Sequence, residues 1–244
     1  MIKIEKIIQA LILAGGEGTR LKPITENVPK PMVEVNEQPF LKYIFELLAK
    51  NEISDVVLCV SYLWEKIQEY FGDEYTSCQG KTMKLHYSVE PRLFGTGGAI
   101  VNAKGLLDDY FFLLNGDTYM PIDYQAIGKV IIEKRIIGAL TVYDNQENIV
   151  NNNIKINNEG FIEIYNKHQV STDMTGVDAG ASVFSRQLLN YLPQKILENQ
   201  KISLEIDIYP KLIKERQLFG YLTNIRFYDM GTPDRMKIIS EVLK

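Results

Sequence analysis

Apolar residues in this chain come in short unbroken runs, set apart by stretches with helical spacing. Ile7 to Leu13 is almost purely apolar, and Asp55–Val60, Tyr110–Leu114 and Gly138–Tyr143 read the same way. Runs of this length without alternation predict strands buried on both faces, as in a parallel sheet. Between them lie predicted helices. Pro39 opens one that carries Phe40, Ile44, Leu47 and Leu48 on a single face. Tyr62–Phe71 reads as a second, stopped by Gly72. A glycine cluster, Gly95-Thr96-Gly97-Gly98, opens a third that runs to Leu107, and a fourth covers Asp123–Lys134. Lys84–Val89 alternates and ends in Glu90-Pro91. Strand and helix alternating at this spacing predict an α/β fold with a doubly wound, mainly parallel, Rossmann-like sheet.

Past Tyr143 the texture changes. Asn145–Asn158 is rich in asparagine and closes in the turn signal Asn157-Asn158-Glu159-Gly160. The flanking runs Asn153–Ile156 and Phe161–Tyr165 predict an antiparallel hairpin in the C-terminal half. Val177–Phe184 reads as a strand, and Ser203–Asp207 as the start of a helix that Pro210 bends. Two short strands, Phe219–Thr223 and Ile225–Tyr228, lead to a last helix with Thr232 as N-cap and Pro233 at its first position. Neither an internal repeat nor a low-complexity linker interrupts the chain, so residues 1–244 are expected to form one domain.

Composition narrows the class. With 45% hydrophobic residues, the 244-residue chain can bury a sizeable core without a metal or disulfide staple. A net charge of -4 and a pI near 5.4 argue against nucleic acid as a partner. Phosphate ligands must then be held by local cations rather than by the field of the whole protein. The two cysteines, Cys59 and Cys78, make neither a disulfide framework nor a zinc site, which fits a reducing cytoplasm. The first residues mix charges into apolar positions and lack a signal-peptide core, and no apolar run is long enough to span a bilayer.

The chemistry concentrates behind the first strand, in Leu11-Ile12-Leu13-Ala14-Gly15-Gly16-Glu17-Gly18-Thr19-Arg20-Leu21 and then Pro29-Lys30-Pro31-Met32. Glycines allow backbone N–H groups to approach a phosphate chain, and Arg20 and Lys30 can neutralise it. The dinucleotide fingerprint G-x-G-x-x-G fails, because Leu21 stands at its last position, and the P-loop spacing fails from either Gly15 or Gly16. What remains resembles the signature of the sugar-1-phosphate nucleotidylyltransferases. The resemblance continues through the Glu90–Ala99 loop, Leu114-Asn115-Gly116-Asp117, Lys167, Asp178-Ala179-Gly180, Ser203-Leu204-Glu205 and Asp229-Met230-Gly231-Thr232-Pro233. Within the family the chain looks most like the short guanylyltransferases acting on heptose or mannose 1-phosphate.

The resemblance implies a reaction in which a sugar 1-phosphate attacks the α-phosphate of a nucleoside triphosphate and pyrophosphate leaves. Catalysis would then be positioning plus electrostatic stabilisation. Residues 1–143 would mainly hold the nucleotide and 144–244 mainly the sugar phosphate. Leu13, Ala14, Gly15, Gly16, Glu17, Gly18 and Thr19 would form the nucleotide cradle. Arg20 would brace the β- and γ-phosphates with its planar fork, and Lys30 would lie near the α-phosphate. Asp117, at the end of a buried strand, and Asp229 would bind Mg²⁺. Glu90 sits where family members read the base. Its carboxylate can accept from guanine N1–H and the 2-amino group but repels the carbonyl edge of uracil or thymine, so GTP is expected. Gly97 would let the backbone approach the base. On the acceptor side stand Gly116, Lys167, Asp178, Gly180 and Glu205. Lys167 occupies Tyr165-Asn166-Lys167-His168, where many relatives have Glu-Lys-Pro, and Asp178 replaces an asparagine common in relatives. Glu205 reads equally as a sugar contact or as a charge at a helix N-terminus. His86 and His168 make no constellation.

Alternatives stay open at this point. The same chemistry could use UTP, dTTP or CTP with another sugar 1-phosphate or a phosphocholine-like acceptor. A chain that keeps the fold only to sense a nucleotide sugar is the rival from another class, and homo-oligomerisation is possible.

Overall fold

Each long apolar run becomes a strand of one sheet, and the alternation along it feeds two cores. Ala10 and Ile12 pack on one face with Val56, Leu58, Phe112 and Leu114, whereas Leu11 packs on the other with Val57, Cys59, Phe111 and Leu113. The structure, a computed structural model, describes residues 6–166 and 173–244.

In chain order the first part comprises β1 (Gln9–Leu13), β2 (Glu34–Val35), β3 (Gln38–Pro39), α1 (Phe40–Lys50), β4 (Asp55–Val60), α2 (Trp64–Phe71), β5 (Glu74–Thr76) and β6 (Thr82–Val89). Then come α3 (Thr96–Ala103), β7 (Tyr110–Asn115), β8 (Thr118–Tyr119), α4 (Tyr124–Lys134) and β9 (Gly138–Tyr143). The remainder holds β10 (Ile154–Ile156), β11 (Ile162–Tyr165), β12 (Val177–Ser185), α5 (Tyr209–Lys214), β13 (Leu218–Thr223), β14 (Tyr228–Asp229) and α6 (Pro233–Val242). The result is the α/β architecture expected, an eight-stranded sheet in the order β13-β9-β12-β7-β1-β4-β6-β5. Helix α1 covers one face with Phe40, Ile44 and Leu48, and Ala99, Ile100 and Ala103 of α3 cover the other.

The order of the parallel strands positions everything that follows. The chain steps from β1 outward to β4 and β6, then returns to place β7 on the opposite side of β1. A crevice opens at such a reversal, outside the carboxyl ends of the strands. Here those ends deliver Ala14, Ser61, Glu90 and Gly116 to one rim. Ala14 N–H donates to Cys59 O (2.8 Å), Glu90 N–H to Val60 O (2.8 Å) and Gly116 N–H to Leu13 O (3.0 Å).

Several elements differ from the expectation. Helix α2 starts at Trp64 rather than Tyr62, because Leu63 adopts a left-handed conformation (φ 56°). The predicted hairpin forms as β10 and β11 but makes its own two-stranded sheet. A further antiparallel element lies inside the main sheet, where β12 runs against both β7 and β9. Of Ile225–Tyr228 only the end is extended, and it pairs as β14 with β8. The helix after Ser203 begins as a π-helical turn over Leu204–Ile208, and Pro210 lies in the first turn of α5 instead of bending a longer helix. No helix among the described residues is long and apolar enough to cross a membrane.

Candidate active site

The loop after β1 folds back on itself. Gly18 takes a left-handed conformation (φ 65°), and a Cβ there would lie 2.8 Å from Thr25 Cγ2 and 3.2 Å from Lys30 Cβ. Only glycine lets the backbone pass this close. Thr25 Oγ1 donates to Gly18 O (2.9 Å), so the segment carrying Arg20 is fastened next to the segment carrying Lys30. Lys30 starts a single 3₁₀ turn whose Pro31 is buried. Its ammonium is nearly covered, with the side chain 12% exposed, and forms an ion pair with Asp117. Thr118 Oγ1 donates to the other oxygen of that carboxylate, Asp117 Oδ1 (3.0 Å).

Gly18, Arg20, Lys30, Pro31 and Asp117 line a cleft of about 510 Å³. Of the residues expected from sequence, Leu13, Ala14, Gly15, Gly16, Gly18, Thr19, Arg20, Lys30, Glu90, Gly116, Asp117 and Glu205 all face it. Gly15, Cys59, Glu90, Leu93 and Ala99 are among its lining residues. Glu90 is 5% exposed. A Cβ on Gly15 would sit 3.5 Å from Glu90 Oε1, while Glu90 Oε2 accepts from Phe94 N–H (2.9 Å). Burial raises the Glu90 pKa above the usual carboxylate range, and the Phe94 N–H partly offsets this. Burial, with the charge of Glu90, also pushes the Cys59 thiol well up, which keeps it protonated and inert.

The glycine loop and the Ile202–Glu205 segment are bonded to one another. Gly97 N–H and Gly98 N–H both donate to Ile202 O (2.8 and 3.3 Å), and Ile202 N–H donates to Phe94 O (2.8 Å). Thr96 Oγ1 donates to Glu205 Oε2 (2.8 Å) and accepts from Leu204 N–H (2.8 Å). Ser203 Oγ also donates to Glu205 Oε2 (2.8 Å) and accepts from Ile206 N–H (3.2 Å), so Ser203 caps the turn while Glu205 is turned back toward Thr96. This corrects the expectation for Gly97. It is buried, off the cleft wall, because its N–H is committed to Ile202 and a Cβ would meet Ile202 Cγ2 at 2.8 Å. The glycine that faces the cleft is Gly95 (φ 83°), where a Cβ would lie 2.5 Å from Ile202 O. Gly95→Ala is expected to cost at least about 1 kcal/mol, because backbone must move to admit the methyl group. A thermal melt should show a drop of a few degrees.

Other expected residues lie apart. Glu17 faces a neighbouring open groove with Tyr62 and Trp64. Asp178 and Gly180 sit at a bulge in β12, and Asp178 accepts from Tyr165 Oη (2.8 Å) and Gly180 N–H (3.0 Å). Burial and that carboxylate raise the Tyr165 pKa, so the phenol remains a donor. Lys167 and His168 lie outside the described residues. Asp229 is brought toward Asp117 by the backbone: it pairs with Thr118 across β14 and β8, and Met230 N–H donates to Asp117 O (3.0 Å). Its carboxylate, however, accepts from Gly231 N–H (2.8 Å) and from Arg235 Nη1 (3.0 and 2.8 Å), and it lines a second, smaller cavity.

Lys201, Thr96 and Asn115 also line the cleft, beyond the residues expected from sequence. Lys201 lies just ahead of Ser203-Leu204-Glu205, and a lone cation in a segment of that kind was the available signal. Among the described residues Arg20 and Lys201 enter no ion pair, so both remain available to an anion. Among the same residues no three His, Cys, Asp or Glu side chains form a ready metal cage. Two aspartates from neighbouring strand ends are nonetheless the hard oxygen donors that suit a divalent ion sharing its coordination with phosphates and water.

The chain is similar to known proteins along its length. A D-glycero-α-D-manno-heptose 1-phosphate guanylyltransferase of Campylobacter jejuni is 46% identical over 120 residues, 49% of this chain and 52% of that one. A protein of the same name from Aneurinibacillus thermoaerophilus is 29% identical over 231 residues, covering 93% of this chain and 94% of that one. Among solved structures, HddC from Yersinia pseudotuberculosis superposes with a TM-score of 0.77 at 25% identity, over 98% of this chain and 100% of that one. The same protein has been solved complexed with GMP-PN. The family model for nucleotidyl transferases matches residues 9–243, and the chain belongs to that family.

Proposed function

We propose that the protein is a sugar-1-phosphate guanylyltransferase, formed as one nucleotidylyltransferase domain over residues 1–244. It transfers GMP from GTP to a heptose or mannose 1-phosphate and releases pyrophosphate. The observation that carries the choice of base is the Glu90 carboxylate, buried in the cleft wall against Gly15. An ionised acceptor there complements guanine N1–H and its 2-amino group and has nothing to offer the carbonyl edge of a pyrimidine dione. The names of the two guanylyltransferase relatives support the same reading.

In this reading a phosphate oxygen of the sugar 1-phosphate forms the new bond to the α-phosphorus of GTP. The bond from that phosphorus to the bridging oxygen breaks, and pyrophosphate departs with the electron pair. No covalent enzyme intermediate is needed. The Gly15–Thr19 backbone cradles the triphosphate, Arg20 braces the departing end, and Lys30 faces the charge that gathers at the α-phosphate. Gly116, Lys167, Asp178, Gly180 and Glu205 serve the acceptor, and Lys201 adds a further cation to the cleft. Asp117 and Asp229 would hold Mg²⁺, which when bound offsets negative charge on the phosphates.

A pyrophosphate-release matrix tests the assignment, with GTP, UTP, dTTP, CTP and ATP set against a panel of sugar 1-phosphates and phosphocholine, with and without Mg²⁺. The highest kcat/KM is expected for GTP with a heptose or mannose 1-phosphate. Better turnover of dTTP or UTP than of GTP would refute the base assignment. Product binding without any turnover would point to a sensor instead.

A further inference from the structure

We propose that Arg235 is a positioning residue that holds Asp229 in reserve, so that a divalent cation reaches this carboxylate together with the triphosphate rather than alone. The inference rests on Asp229 being a metal ligand, as in the proposed function. Its observation is the clamp itself. Arg235 Nη1 donates to both Asp229 oxygens, at 3.0 and 2.8 Å, while Gly231 N–H holds Oδ1 at 2.8 Å. The Asp229 side chain is 16% exposed and that of Arg235 is 44% exposed, so the carboxylate is largely covered and its cation half in water.

The helix does not account for this arginine. Arg235 lies in the first turn of α6, where the helix dipole disfavours a cation. What compensates it is Asp229. Arg235 also borders the cavity of about 210 Å³ that it shares with Tyr143, Val150, Arg226 and Tyr228. The guanidinium can therefore withdraw from Asp229 without crossing packed structure.

The opposite carboxylate is arranged alike, since Asp117 is paired with Lys30. A bare divalent ion must displace a guanidinium from one aspartate and settle against an ammonium at the other. The triphosphate reverses that balance, because its negative charge gives the ion and the displaced side chains new partners. The site thus disfavours metal without nucleotide.

Mn²⁺ binding to the nucleotide-free, full-length protein, read from the loss of the free-ion EPR signal, tests this. Arg235→Met and Arg235→Gln are expected to bind Mn²⁺ about fivefold or more tightly than the parent, in keeping with removal of a half-exposed competing ion pair. The gain should vanish in an Asp229→Asn background. Binding of the preformed Mn²⁺–GTP complex, followed by water proton relaxation, should differ much less between parent and Arg235 variants. Unchanged Mn²⁺ affinity in both folded variants, or a gain that survives Asp229→Asn, overturns the proposal. If Asp229→Asn binds Mn²⁺–GTP as tightly as the parent, the metal role of Asp229 itself is lost. The pyrophosphate-release matrix judges the reaction separately.

Discussion

Lys30→Ala is expected to lower kcat by roughly 10²–10³-fold, the range seen when one preorganised electrostatic contact is removed. The lysine is not free to wander. Its turn is fixed by Pro31, its loop is fastened beside Gly18, and its ammonium is paired with Asp117 at the cleft wall. Such a cation stands ready before substrate arrives, so the effect should fall on kcat more than on the KM for GTP. Asp117→Asn removes the partner while preserving shape and the bond from Thr118, and a loss of similar size is expected with an intact fold. Steady-state kinetics beside a thermal melt separates the two quantities. Near-normal kcat in either variant, with an unchanged melting temperature, contradicts the role assigned to it.

The second large effect is on the choice of base. Glu90→Gln is expected to lower kcat/KM for GTP by roughly 10- to 100-fold, as fits the loss of a charge-assisted hydrogen bond. Activity with UTP or dTTP should change little, so the preference narrows. The substituted amide can still accept from Phe94 N–H, so the local fold is retained. The sign of the pH effect follows from burial. In the proposed function the ionised carboxylate is the form that accepts from guanine, and burial raises its pKa in the folded protein. GTP affinity should therefore fall with decreasing pH at values above the ordinary glutamate range near ~4.3. The ionised form is also the one that burial disfavours. Its cost to stability is absent below the unfolded-state pKa, grows through the window up to the raised folded-state pKa, and is complete above it. Glu90→Gln should accordingly melt no lower than the parent at neutral pH. GTP binding titrations across acidic pH, run on the parent and on the Glu90→Gln variant, read this out. The fall in affinity should appear in the parent and be absent, or much smaller, in the variant. Equal pH dependence in the two proteins contradicts the role of the carboxylate.

The parts of the molecule legible in the sequence are those with a local cause. β4 and β9 fall on the residues read from their apolar runs, because burial on two faces is what such runs of six residues reflect. The loop from Leu13 to Arg20 and the strand end at Asp117 were legible for a similar reason, since glycine and charge directly after a buried strand mark the rim of an α/β sheet. What the sequence hid was set by partners far along the chain. Gly97 looks like a base contact until Ile202, from a distant segment of the chain, takes its N–H. β8 and β14 are two residues each and exist only because they pair with one another. The insertion of β12 between β7 and β9 is a tertiary choice, and its apolar pattern alone does not say which way it runs.

The bonds from Gly97 and Gly98 to Ile202, and those joining Thr96 to Glu205 and Leu204, have a consequence for how such enzymes diversify. The loop at residues 92–98 and the segment at residues 200–206 are stitched into a single mechanical piece. Under the proposed function, an exchange of residues 200–206 alone to change the acceptor would also pull on the loop at residues 92–98. The two segments behave as one cassette, and a chimera between relatives retains its fit only when residues 92–98 travel with residues 200–206.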